Sequence, residues 1–239
     1  AVGFIVIPAA VVGTDMRAAF VVLAATTVPA LLTLGWFPRR PDVARSNDAR
    51  APTTVLPRGS FVLLAGILFY YLALGGVYPF LAEIGRRSGW DVREVGFILS
   101  ASQIVGAGGS FLPALLGVRI GRGTALIIAI GAAIAALMAL LIGDPVIFAI
   151  AANLFVGASM MTFAYAMGLV GLLDPLGRVA GLAFAVQVLC LGAGPAWAGF
   201  VVGHFGSVVL ILVCTLFAAA ALFTLVPMAF RQQRQAVAA

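Results

Sequence analysis

Long apolar runs alternate with short gaps that hold nearly every charge in the chain. A membrane-spanning α-helix needs about 20 mostly apolar residues. Seven runs meet that need: Ala18–Phe37, Phe61–Leu81, Val95–Leu116, Thr124–Ile142, Val146–Leu172, Val179–Val202 and Val208–Phe230. A shorter one, Ala1–Val12, reads as the end of a helix whose beginning lies upstream. The runs are too long, and alternate too little, for the strands of a membrane barrel. Composition removes the soluble alternative. Hydrophobic residues make up 63% and charged residues 9%, against about 45–50% and 25% in soluble domains. Water could not solvate so much apolar surface, and lipid resolves the excess. The expected fold class is therefore an all-α membrane protein.

The gaps also set an orientation. Every basic residue is an arginine, and the net charge is +6. Alternate gaps must lie on alternate sides of the bilayer. One set carries Arg39, Arg40, Arg45, Arg50 and Arg58, then Arg119 and Arg122, then Arg178, then Arg231 and Arg234. The other carries only Arg17, Arg86, Arg87 and Arg93, beside Asp15, Glu83, Asp91, Glu94 and Asp144. The positive-inside rule puts the first set and the C-terminus in the cytoplasm, in a bacterial inner (plasma) membrane. The basic balance thus orients helices; no nucleic-acid partner is expected. Cys190 and Cys214 lie within apolar runs and read as small buried side chains. No cofactor, metal or catalytic group is expected.

The gap from Pro38 to Ser60 is the longest, rich in proline and arginine, and reads as a cytoplasmic linker. The two ends of the chain share an order. Gly3 and Phe4 lead through a turn into a helix ending Phe37-Pro38-Arg39-Arg40, and Gly199 and Phe200 lead through a turn into one ending Phe230-Arg231. Parallel repeats joined by a long linker resemble the major facilitator superfamily, whose two six-helix bundles are arranged so. That resemblance implies these parts: residues 1–37 as the end of an N-terminal bundle (part of helix five, then helix six), 38–60 as the linker, 61–230 as the complete C-terminal bundle, and 231–239 as a cytoplasmic tail. The implied partners are a small-molecule solute, the lipid bilayer, and a missing N-terminal bundle of the same protein.

Motifs support the resemblance to different degrees. The family carries G-x-x-x-D-R-x-G-R-R on short cytoplasmic turns. Here the turn reads Ala114-Leu115-Leu116-Gly117-Val118-Arg119-Ile120-Gly121-Arg122-Gly123. Arg119, Gly121 and Arg122 fit; Val118 stands where the family has an acid. The family uses this turn to lock one access state, so the resemblance implies gating by Arg119, Gly121 and Arg122. With no acid at Val118, Asp174 is the available partner, and Arg178 on the same turn joins the set. The simpler reading is that these arginines only fix topology. Gly181, Cys190, Gly194, Pro195, Ala198 and Gly199 resemble the glycine-proline motif of drug antiporters. Gly181, Gly194, Pro195 and Gly199 are read chiefly as helix-packing positions.

No ionisable side chain lies deep in a complete run. Polar ones do: Tyr70, Tyr71, Gln103, Asn153 and Gln187 lie near helix midpoints, where carrier sites are built. A buried amide is costly unless paired, which favours a solute-lining role for them. Ser159 and Thr162 suit interhelical hydrogen bonds or bonds back to their own helix. The expected function is alternating-access transport of a small organic solute, coupled to an ion gradient with protons as the candidate. Export is favoured; a metabolite uptake permease is the alternative. An intramembrane serine protease built on Ser159 and His204 is a distant one, since Met160 follows the serine and His204 falls in an outer turn.

Overall fold

The computed structural model describes residues 56–57, 59–116, 120–174 and 177–238, apart from the side chains of residue 116 and of residues 235–238. The runs 1–12 and 18–37, most of the linker, and Arg119 lie outside the described residues. The described helices belong to one compact unit, Pro57–Ala239. In chain order they are α1 (Ser60–Val77), a 3-10 turn (Tyr78–Phe80), α2 (Leu81–Arg87), α3 (Val92–Leu116), α4 (Arg122–Ala139), α5 (Pro145–Leu173) and α6 (Arg178–Ala238). No strand occurs among the described residues.

Helix ends follow local chemistry. The Asp144 side chain caps α5 by accepting from the Ile147 amide at 2.9 Å, with Pro145 at the first helical position. The Glu94 carboxylate reaches back to the Asp91 amide at 2.9 Å at the start of α3. In α2, Glu83 sits in the first turn and Arg86 and Arg87 in the last, each matched to the helix dipole. The first span is longer than its apolar run: it continues past Leu81 to Arg87. Pro79, lacking an amide hydrogen, tightens one turn into 3-10 geometry without ending the rod.

The last two runs differ from expectation in a second way. Gly203-His204-Phe205-Gly206 is not an open turn; helix continues to the edge of Gly206. The break is confined to Gly206, whose φ of 85° and ψ of 171° favour a residue without Cβ. The two arms of α6 then lie side by side, since the Trp197 and Phe217 rings meet edge-on at 5.7 Å. The described residues therefore form six long apolar helical segments, α6 being two helices joined at the Gly206 kink.

Packing places α1 at the centre. A Cβ on Gly194 would overlap the Gly75 backbone, so α1 and the first arm of α6 touch main chain to main chain. The second arm runs antiparallel to α1, with Met228 against Gly59, Leu225 against Gly66 and Cys214 against Gly76. Gly109 of α3 meets the Gly157 carbonyl of α5 in the same close manner. Leu63, Ile67, Leu126, Ile130, Leu169 and Leu210 fill the interior.

Candidate functional site

The described charges sit at the two ends of the bundle, and the polar groups between them form a thin middle layer. Tyr70 and Tyr71 of α1 are both buried, with rings edge-on at 6.0 Å. The Tyr70 hydroxyl donates to Ser159 Oγ of α5 at 3.2 Å. Thr162, one turn along, donates to its own helix at Ala158 O, 2.9 Å away. Asn153 does likewise: Nδ2 donates to Ala149 O at 2.8 Å. Gln103 of α3 donates to the Tyr78 hydroxyl, tying α3 to the 3-10 turn. Gln187 of α6 is half-buried, and its Oε1 is buried with no hydrogen-bond partner among the described residues. One turn later, Cys190 Sγ lies 3.8 Å from Leu68 O, so Gln187 sits beside the middle of α1.

The structure therefore joins Tyr70 to Ser159 and Gln103 to Tyr78, and turns Asn153 onto its own helix. No hydrogen bond among the described residues links Asn153 or Gln187 to the tyrosines. Ser159, 1% exposed, serves Tyr70, while exposed His204 lies against Phe200 O beside Gly206. A Ser–His dyad is absent from that arrangement. Tyr78, read from the sequence alone, suits an interfacial anchor; nothing local marks it as the acceptor for Gln103, 25 residues away.

At the Gly121 end, Gly121 has φ 77° and precedes α4, and the Gln233 amide occupies the space a Cβ would need. Arg122 begins α4 and is half-buried, in line with Leu126 and Ala133 on the packed face. Asp174 is 3% exposed and ends α5. Its Oδ2 accepts from the Val179 amide at 3.0 Å and lies 3.5 Å from Arg178 Nε. This acid therefore caps α6 and pairs with the arginine of its own turn. In the glycine-proline stretch, Gly194 makes the backbone contact with Gly75, Gly199 faces Phe80 at 3.9 Å, and nothing lies near Gly181. Pro195 is exposed inside the helix.

At the Gly206 end, cross-helix bonds hold the rim. Arg87 bonds Glu83 at 3.0 Å and Ser207 Oγ at 3.1 Å, and Trp90 Nε1 donates to Pro145 O at 2.7 Å. A shallow cleft of about 360 Å³ opens there, lined by Glu83, Arg86, Arg87, Trp90, Asp91 and Val92.

Residues 1–195 match the family model described as Major Facilitator Superfamily. The chain belongs to this superfamily. Its activity is thus of the general class of membrane transport of a solute, in a superfamily that is generally non-enzymatic. The matched stretch ends one residue past Gly194, so the second arm of α6 lies beyond it. Comparison with curated proteins gives no match, and neither does comparison with solved structures. For a major facilitator protein, the bundle of apolar helices and the thin polar layer are the relevant features: the first matches lipid, the second offers the few groups a solute could meet.

Proposed function

We propose that residues 61–230 are the C-terminal bundle of a major facilitator carrier, with the Gly121 end and the C-terminus in the cytoplasm. It moves a small, weakly polar or amphipathic organic molecule by rocking against an N-terminal bundle of the same protein. The observation that carries this reading is Gln187. A half-buried amide within an apolar span, its oxygen without a donor among the described residues, is costly unless a further partner, water or solute completes it. Tyr71, Gln103 and Asn153 line the same midplane path. Tyr70, already bonded to Ser159, shapes the wall more than it binds.

Gating falls to the Gly121 end. We assign the gate to Gly121 and Arg122, with Arg119 by its place in the sequence motif, while Asp174 and Arg178 pair on the next turn. Of the glycine-proline positions, Gly194 and Gly199 set how the first arm of α6 packs and Pro195 how it bends, while Gly181, with nothing near it, has no packing role among the described residues. The protein is not an enzyme. An ion gradient, with protons as the candidate, supplies the energy, and export is the favoured direction.

The test uses the full protein in everted vesicles with an imposed proton gradient and ethidium as probe. Gradient-driven dye uptake into everted vesicles is expected, which corresponds to export from the cell. Gln187→Leu lowers it roughly tenfold, the loss of one hydrogen bond at the site, and Gln187→Asn retains most of it. Movement only in the opposite direction would select the uptake permease. Equal rates for the parent and Gln187→Leu would remove Gln187 from the path.

A further inference from the structure

The second arm of α6 has two unlike faces. One is packed: Leu225 and Met228 meet α1, the Phe230 ring covers Gly123, Gln232 donates to Leu169 O at 3.4 Å, and Gln233 fills the space at Gly121. The other face is open. Leu216 is 67% and Phe223 77% exposed, and Pro227, one turn on, is exposed too. Arg231 follows one turn after Pro227, and Arg234 lies on the same side one turn further. Both arginines are exposed, and neither has a carboxylate partner among the described residues. The one described carboxylate at this end, Asp174, pairs with Arg178.

An apolar strip that ends in two arginines fits one kind of partner. A soluble anion would use the arginines and leave the strip bare. A neutral lipid would use the strip and leave both charges without a counterion. We infer that this face docks an anionic phospholipid in the leaflet at the Gly121 end. Its phosphate sits on Arg231 and Arg234, and its chains run along Pro227, Phe223 and Leu216. Charge complementarity and the order of groups along the helix match a lipid lying with its headgroup at the bilayer edge. Phe230 and Gln233 brace Gly123 and Gly121 from the same helix, so the bound lipid also steadies the Gly121 turn. That second effect rests on the gating role proposed above; the lipid site itself does not.

Native mass spectrometry of the full protein, titrated with phosphatidylglycerol or phosphatidylcholine, tests the site without any transport measurement. Each arginine near a membrane surface contributes enough for roughly fivefold binding, so the pair predicts roughly 30-fold preference for phosphatidylglycerol. Arg231→Gln with Arg234→Gln abolishes the preference, and the corresponding pair of lysines keeps it. Arg86→Gln, at the opposite end, leaves it unchanged. Should the glutamine pair fail to fold, Arg234→Gln alone decides, with a roughly fivefold loss expected. Equal binding of both lipids would overturn the proposal. So would a preference that survives the glutamine variants, or displacement by equimolar soluble glycerol phosphate.

Discussion

The rod Ser60–Arg87 and α3 are neighbours of similar length, yet they live in different surroundings. The most apolar stretch of the rod is 61% buried within the protein, and that of α3 only 22%. The rod contacts α5 through Tyr70 and both arms of α6 through Gly75, Gly66 and Gly76. By contrast, α3 is fixed along one edge, by Gly109 on Gly157 and by Gln103 on Tyr78, and presents Phe97, Ile104, Phe111 and Leu115 outward. Both are apolar enough for lipid, so hydropathy alone does not separate them. The separation comes from where the small residues lie. Gly66, Gly75 and Gly76 of α1 meet both arms of α6, whereas the close contacts of α3, at Gly106 and Gly109, all lie on its edge toward α5 and leave the face of Phe97, Ile104, Phe111 and Leu115 open.

This contrast can be broken by substitution. Gly194→Leu drives a side chain into the Gly75 backbone and should abolish a monodisperse folded peak in size-exclusion chromatography, a cost above roughly 3 kcal/mol. Gly181→Leu, on the same helix with nothing nearby, should leave that peak intact. Ile67→Ala, at a 1% exposed position of α1, should lower stability by roughly 2 kcal/mol or more in thermal or denaturant unfolding. Tyr70→Phe removes only the hydroxyl bond to Ser159 and should cost about 0.6 kcal/mol by the same measurement. Ile104→Ala, on the open face of α3 and 57% exposed, should change stability by less than about 0.5 kcal/mol. If Ile104→Ala proved as costly as Ile67→Ala, α3 would not be the open helix described here.

The six spans of Pro57–Ala239 were legible in the sequence because bilayer thickness imposes a length on each apolar run. Their ends were less so. Backbone hydrogen bonding carries helix through Pro79 and up to Gly206, where hydropathy falls before helix does. The cap at Asp144 follows from an Asp-Pro pair at a helix start, and the structure uses it so. The polar layer was legible by residue type and depth but not by partner. Nothing local distinguishes Asn153, which bonds back to Ala149, from Gln187, whose oxygen has no donor among the described residues. Likewise Tyr70 and Ser159 are 89 residues apart, and only the fold brings them together. The sequence offered Asp174 as a partner for the Arg119 and Arg122 turn; the structure places its carboxylate 3.5 Å from Arg178 Nε and on the Val179 amide, a pairing that needs the fold of the turn and not the spacing alone.

Substituted-cysteine accessibility at residue 187 tests the central claim most directly. The natural cysteines, Cys190 and Cys214, are buried and can be replaced by alanine in the parent for Gln187→Cys. If the midplane of this bundle is a solute path opened alternately to each side, a membrane-impermeant maleimide should label residue 187 from one face at rest. Imposing the ion gradient or adding transported dye should shift labelling toward the other face. A residue 187 that never labels from either face, while a cysteine placed at exposed residue 204 does, would contradict the account.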